Sequence, residues 1–200
     1  MKKNLIAIAL FSMIASIPLK GEEINIYQKN YRFKTVFEME SKQSPKGSIQ
    51  KSVWRWLKPL RDTYDIYDTE GNWQATGIGR IFCLGFFRAW GAEFDVYDPQ
   101  GARIGVIDGQ VVTTESAKYS IYNAEGKRVG IAYMDLTSAG FSIVDPDNSS
   151  HILAILRRNF IPDQIDTWTV SIHDETIDPR IIKVFTAFAV DKQGFFKADL

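Results

Sequence analysis

One cysteine and two histidines in 200 residues leave little material for the chemistry those side chains carry. Cys83 stands alone, so no internal disulfide forms, and its neighbours Phe82 and Leu84 predict a buried strand thiol. No cysteine lies beside the N-terminal apolar run, which excludes a lipid anchor on a mature N-terminal cysteine. His151 and His173 have no Cys or His partner at ligand spacing, so no metal site is expected. Neither histidine is flanked in a way that suggests a nucleophile and an acid, and both are expected to be solvent-facing or hydrogen-bonded strand residues. Charge of one sign is lacking as well. Lys+Arg and Asp+Glu are equal at 24 each, which gives no footprint for nucleic acid.

Long apolar runs are also scarce. Leu5 to Leu19 follows Met1-Lys2-Lys3-Asn4, the layout of a charged n-region and an h-region. Ser12, Ser16 and Pro18 interrupt this run, and it falls short of the roughly 20 apolar residues that span a bilayer. Residues 1–21 are therefore read as a signal peptide and 22–200 as a single domain, exported to a periplasm or secreted. Retention of the segment as an uncleaved anchor is the alternative. Removal takes Lys2, Lys3 and Lys20 with it and leaves a mildly acidic chain.

What the chain has in abundance is a repeat. An aromatic residue, an aliphatic residue two positions on, and an Asp or Asn two further recur in Tyr64-Asp65-Ile66-Tyr67-Asp68, Phe94-Asp95-Val96-Tyr97-Asp98, Tyr119-Ser120-Ile121-Tyr122-Asn123 and Phe141-Ser142-Ile143-Val144-Asp145. A looser copy runs from Trp168 through Val170 to Asp174. Period two marks a strand with one face in a core. Gly71, Gly101, Gly126 and Asn148 follow three residues after each Asp or Asn, where a turn opened by that side chain needs a left-handed residue. Return strands begin at Arg103, Arg128 and Ile152, and the spacing leaves no room for crossover helices. Gly77, Gly79 and Gly85 match no dinucleotide-loop spacing and read as strand glycines at bulges or corners.

A different pattern follows at the C-terminus. Asp178 can cap a helix, Pro179 suits its first position and Gly194 can end it. Between them Ile181, Ile182, Val184, Phe185, Phe188 and Val190 leave almost no polar side. A helix apolar all round is buried all round. It is too short to span a membrane, so it is expected inside a sheet that curls around it.

Tyr64-Asp65-Ile66-Tyr67-Asp68, Phe94-Asp95-Val96-Tyr97-Asp98 and Tyr119-Ser120-Ile121-Tyr122-Asn123, each with its glycine, the later Trp168-Thr169-Val170 strand and the apolar helix after Asp178-Pro179-Arg180 together resemble the tubby-like superfamily. The similarity is greatest to its LURP-one-related and phospholipid-scramblase branch and covers roughly residues 60–192. The resemblance implies a closed antiparallel barrel of about twelve strands around a central hydrophobic helix, the all-β class expected here. It also implies phosphoinositide binding as in tubby domains, or membrane and calcium association as in scramblases. The chain has no proline-rich arm and no cysteine cluster for palmitoylation, so scramblase activity is not expected.

No catalytic constellation stands out in the sequence. Asp145-Pro146-Asp147-Asn148 begins like a calcium loop, but Ser150 and Leu156 stand where Gly and Glu are required, which favours a hairpin turn. Asp65, Asp68 and Glu70 show no pair with separated environments. The expectation is a non-enzymatic binding module without a cofactor, recognising an anionic lipid headgroup or membrane surface. A structural or protein-interaction domain of the cell envelope is the alternative. Two features carry the binding expectation. Trp54 and Trp56 alternate with Arg55 and Lys58, as interfacial segments do, although a segment closing one end of the barrel would look the same. Lys127, Arg128, Arg157 and Arg158 lie on or beside return strands and are expected to form one cationic patch, with separate solvated strand faces as the alternative.

Overall fold

A computed structural model describes residues 21–31, 34–42, 44–52, 62–83, 91–111, 117–134, 140–159 and 167–192. Residues 1–20 lie outside the described residues, as do Trp54, Trp56 and Gly194. The strands are β1 (Glu22–Tyr31), β2 (Lys34–Ser41), β3 (Ser44–Ser52), β4 (Thr63–Tyr67), β5 (Trp73–Gly79) and β6 (Glu93–Tyr97). They continue as β7 (Arg103–Val111), β8 (Ala117–Asn123), β9 (Arg128–Met134), β10 (Gly140–Val144), β11 (Ile152–Asn159) and β12 (Thr167–Ile172). Each pairs antiparallel with its neighbour in sequence, and β1 closes the ring by pairing with β12. Among the described residues one helix, α1 (Pro179–Asp191), runs inside the barrel. No helix among the described residues is long and apolar enough to cross a membrane.

The repeat in the sequence is the hairpin in the structure. Its aromatic and aliphatic positions, Tyr64 and Ile66, Phe94 and Val96, Tyr119 and Ile121, Phe141 and Ile143, all face the interior and are buried. Asp68 Oδ1 accepts from the backbone N–H groups of Glu70 and Asn72, and Asp98 Oδ1 does the same for Gln100 and Ala102. Gly71, Gly101 and Gly126 close their turns at φ of 83°, 83° and 79°, where a Cβ is strained. The fourth turn departs from expectation. Asn148 does not take the left-handed conformation, because the loop is longer and Asp145 and His151 pair through their backbones around it.

A barrel of twelve strands is wider than side chains alone can fill, and α1, roughly 10–12 Å across with its side chains, occupies the lumen. The return strands make room for it. Ala75, Gly105, Gly130 and Ala154 stand opposite Ile66, Val96, Ile121 and Ile143, so each large inward residue faces a small one. A Cβ on Gly77 would lie 2.3 Å from Val184 Cγ1, and one on Gly105 would lie 2.4 Å from Ile181 Cδ1. These glycines are therefore the seat of the helix. Ile181, Ile182, Val184, Phe185, Phe188 and Val190 are all buried, as expected. Thr186, also buried, donates its hydroxyl to the Ile182 carbonyl at 2.8 Å and leaves no orphan donor.

Phe185 packs edge-on against Tyr119 and Phe141 at centroid distances of 4.9 and 5.0 Å. A carboxylate there would be enclosed by aromatic rings, at a cost of several kcal/mol against a total stability of about 5–15 kcal/mol. Phe185→Asp is expected to abolish cooperative folding, measured by circular dichroism and urea denaturation; a soluble, cooperatively unfolding variant would contradict a central position for α1.

Candidate functional site

The two ends of the barrel are built differently. At one end lie the β2–β3 turn after Ser41 and the turns 68–72, 98–102, 123–127 and 145–151, and 173–178 leads from β12 into α1. At the other end, the connection end, the chain passes from β3 to β4, β5 to β6, β7 to β8, β9 to β10 and β11 to β12, and the C-terminus of α1 lies there. Antiparallel connectivity places successive links at alternate ends, and β1 turns into β2 between Tyr31 and Lys34 at the connection end. Among the described residues α1 packs against the inner face of the barrel, and the charged side chains lie at the two ends and on the outer face.

At the connection end five side chains converge on the last turn of α1. Asp191 Oδ2 accepts from Lys51 Nζ at 2.7 Å and from the Tyr64 hydroxyl at 2.9 Å, and pairs with Lys192 Nζ at 3.3 Å. Asp62 lies 2.9 Å from Lys51 and 2.9 Å from Lys192. Burial pushes the Asp62 carboxyl up, but Lys51 and Lys192 outweigh it and hold the group below its usual range. Burial pulls Lys192 down, and Asp62 and Asp191 outweigh it and hold the ammonium above its usual range. Tyr64 is pushed well up by burial and by the two carboxylates, so it stays a donor. Two lysines neutralise two carboxylates, which makes this a latch for the helix terminus with no free acid or base. Residues as distant in sequence as Lys51 and Asp191 meet in it, and no local pattern announces them.

Arg80 anchors the start of the next connection. Its Nε and Nη2 grip Asp95 at 2.8 and 2.7 Å, and Nη1 reaches Glu93 at 2.9 Å. Just beyond it the sequence expectation for Cys83 fails. β5 has ended at Gly79, so Cys83 lies in a half-exposed bend, where its thiol donates to the Arg80 carbonyl at 3.2 Å. Beside it Phe82 is 99 % exposed.

At the turn end His151 Nε2 lies 3.3 Å from Asp174 and its Nδ1 3.7 Å from Asp145, linking the last hairpin to the strap that enters the barrel. His173 follows β12, half-buried, with its Nδ1 unpartnered. Asp145 accepts from the backbone N–H groups of Asp147 and Asn148, the hairpin-turn role expected of it. Among the described residues no group of three His, Cys, Asp or Glu side chains is placed to hold a metal.

The expected cationic patch is corrected by the strand register. β10 separates β9 from β11, and Gly140, opposite Arg157, is one residue before the Phe141 that pairs with Met134. Lys127 and Arg128, at the opposite end of β9, are thus roughly 20 Å from Arg157 and Arg158 at about 3.3 Å per residue. Lys127, Arg128 and Arg157 are exposed, whereas Arg158 is only 5 % exposed. The outer rim of the connection end instead carries two cation–aromatic pairs, on β1/β2 and β8/β9, with β10, β11 and β12 between them. Lys34 Nζ sits 6.0 Å from the centroid of the Tyr31 ring, and Lys118 Nζ 5.5 Å from that of Tyr133. Both tyrosines are exposed, at 53 % and 43 %. Arg157 and Phe82 share this end.

No protein-family model and no curated protein matches the chain.

Two tyrosines at equivalent repeat positions make a test of the latch. Tyr64 has a carboxylate acceptor, while the buried Tyr119 hydroxyl has none, and burial pushes its phenol up. Urea denaturation should show Tyr64→Phe losing about 1.5–3 kcal/mol and Tyr119→Phe losing nothing or gaining up to about 1 kcal/mol.

The latch also fixes a pH profile. The depressed Asp62 contributes stability above its unfolded value, near 3.8, and that contribution disappears as pH falls through its lower folded value. The raised Lys192 contributes stability below its unfolded value, near 10.5, and that contribution disappears as pH rises through its higher folded value. Unfolding free energy measured against pH is expected to fall below about pH 4 and above about pH 10.5, with Asp62→Asn showing a shallower acid limb.

Proposed function

We propose that this chain is an exported, non-catalytic binding module of the tubby-like kind that rests on anionic lipid surfaces through its connection end. Phe82 carries the reading. A phenyl side chain 99 % exposed has no folding role to justify its position, and it stands on the same end as two exposed tyrosines, each with a lysine at its ring. Aromatic rings at one level with cations beside them suit a headgroup boundary, the rings entering the acyl edge and the ammonium groups meeting phosphates. Arg157 adds to the charge. Residues 53–61 join β3 to β4, whose facing ends lie on this side, and their sequence holds Trp54, Arg55, Trp56, Lys58 and Arg61.

Other observations support the reading. The filled lumen favours recognition on the surface over capture inside the barrel. The lysines and carboxylates of the latch neutralise one another, which favours binding over catalysis. β1 starts at Glu22, directly after the leader, so removal of residues 1–21 takes no strand residue away. The tubby-like reading is supported by the closed barrel and its enclosed helix.

Vesicle flotation tests the proposal. The protein should float with phosphatidylserine or phosphoinositide vesicles, float less with neutral ones, and detach as salt rises. Phe82→Asp should reduce flotation at least about tenfold without affecting folding, since inserting one phenyl contributes about 1.5–3 kcal/mol. Trp73→Ala, at the turn end, should change nothing. Absence of flotation at any salt removes the lipid reading and leaves the protein-interaction domain in its place.

A further inference from the structure

The mouth of the barrel at the turn end has features that the lipid reading does not use. The strap from His173 to Asp178 crosses this mouth to bring α1 in from β12, and it covers only the side it crosses. Between the first turn of α1 and the β8–β9 turn remains a groove of about 620 Å³. That volume is in the range of sites that hold a small ligand or a few side chains. Its floor is apolar, made by Ile104, Val129 and Ile181, and its rim carries Glu125, Glu175 and Asp178.

The rim carboxylates are not equivalent. Asp178 is committed, accepting from the Arg180 backbone N–H at 2.9 Å and holding its guanidinium at 2.6 Å. Glu125 and Glu175 are exposed and have no ion-pair or hydrogen-bond partner in the described structure. The surroundings are of the same sign. Of the six segments at this end, 41–44, 68–72, 98–102, 123–127, 145–151 and 173–178, all but the first contain at least one carboxylate, and Lys42 and Lys127 are the only lysines or arginines among them.

We infer that this groove is a docking site for a basic peptide segment, one that presents a lysine or arginine next to an aliphatic side chain. The aliphatic group and the methylene stem of the cation lie on Ile104, Val129 and Ile181, while the charged head reaches Glu125 and Glu175. Acidic segments are repelled by the negative field of the turns. The site is at the opposite end from the lipid-facing rim, so a partner can occupy it while the other end rests on a surface.

The test needs no vesicles and is therefore independent of the lipid reading. A pentapeptide of alternating leucine and lysine is titrated into the full domain and followed by methyl NMR. The expected result is saturable shifts of the Ile104, Val129 and Ile181 methyls that weaken as salt rises. Glu125→Gln with Glu175→Gln should weaken the affinity roughly three- to tenfold, the effect of losing two exposed ion pairs, and leave the fold intact. Asp147→Asn, a carboxylate on a turn outside the groove lining, should leave it within about twofold. The proposal is overturned if these methyls do not move, if an alternating leucine and glutamate peptide or hexylamine binds as tightly, or if the double variant binds like the wild type.

Discussion

The enclosure of α1 is the constraint on which the rest of the structure depends. A helix with apolar side chains on every side has no stable place in water, and a twelve-strand barrel has a lumen that its own side chains cannot fill. Each element resolves the other's problem. The fit is specific, because Gly77, Gly105 and Gly130 are all pressed by helix or strap side chains at distances a Cβ would violate. Small residues on return strands are therefore as necessary to the fold as the large inward residues they face.

Polar contacts then fix the helix along its axis. At its start Asp178 caps the backbone and pairs with Arg180, whose Nη1 also reaches the Gln74 carbonyl at 3.4 Å. At its end Asp191 is held by Lys51, Tyr64 and Lys192. The apolar packing has little directional preference, whereas these two clusters specify depth and orientation. Both lie where the lumen meets solvent, so the charges remain partly hydrated and avoid the full penalty of burial.

With the interior committed to its own helix, the two ends and the outer face are the surfaces available for partners. Turn-end side chains are largely occupied with Asx-type bonds to their own backbone, and they leave behind an acidic mouth with an apolar floor. The connection end carries exposed rings and lysines on its rim.

The sequence by itself determined the hairpins, the turn chemistry and the buried helix, because each rests on local rules: period two, an Asp or Asn followed by Gly, and an apolar segment with a cap. β1 to β3 were the weaker part of that record, since Ile24, Ile26, Phe37, Met39 and Ile49 are buried without the aromatic repeat that marks the later hairpins. Only the tertiary structure decided which residues meet across the barrel. Register set Arg157 at the opposite end from Arg128 and so divided a patch that looked continuous in sequence. It also assembled the latch from Lys51, Asp62, Tyr64, Asp191 and Lys192, and it left Phe82 and Cys83 beyond the end of β5. Local pattern specifies what a strand is and which face it buries; closure of the ring specifies which ends become neighbours, and that depends on all twelve strands together.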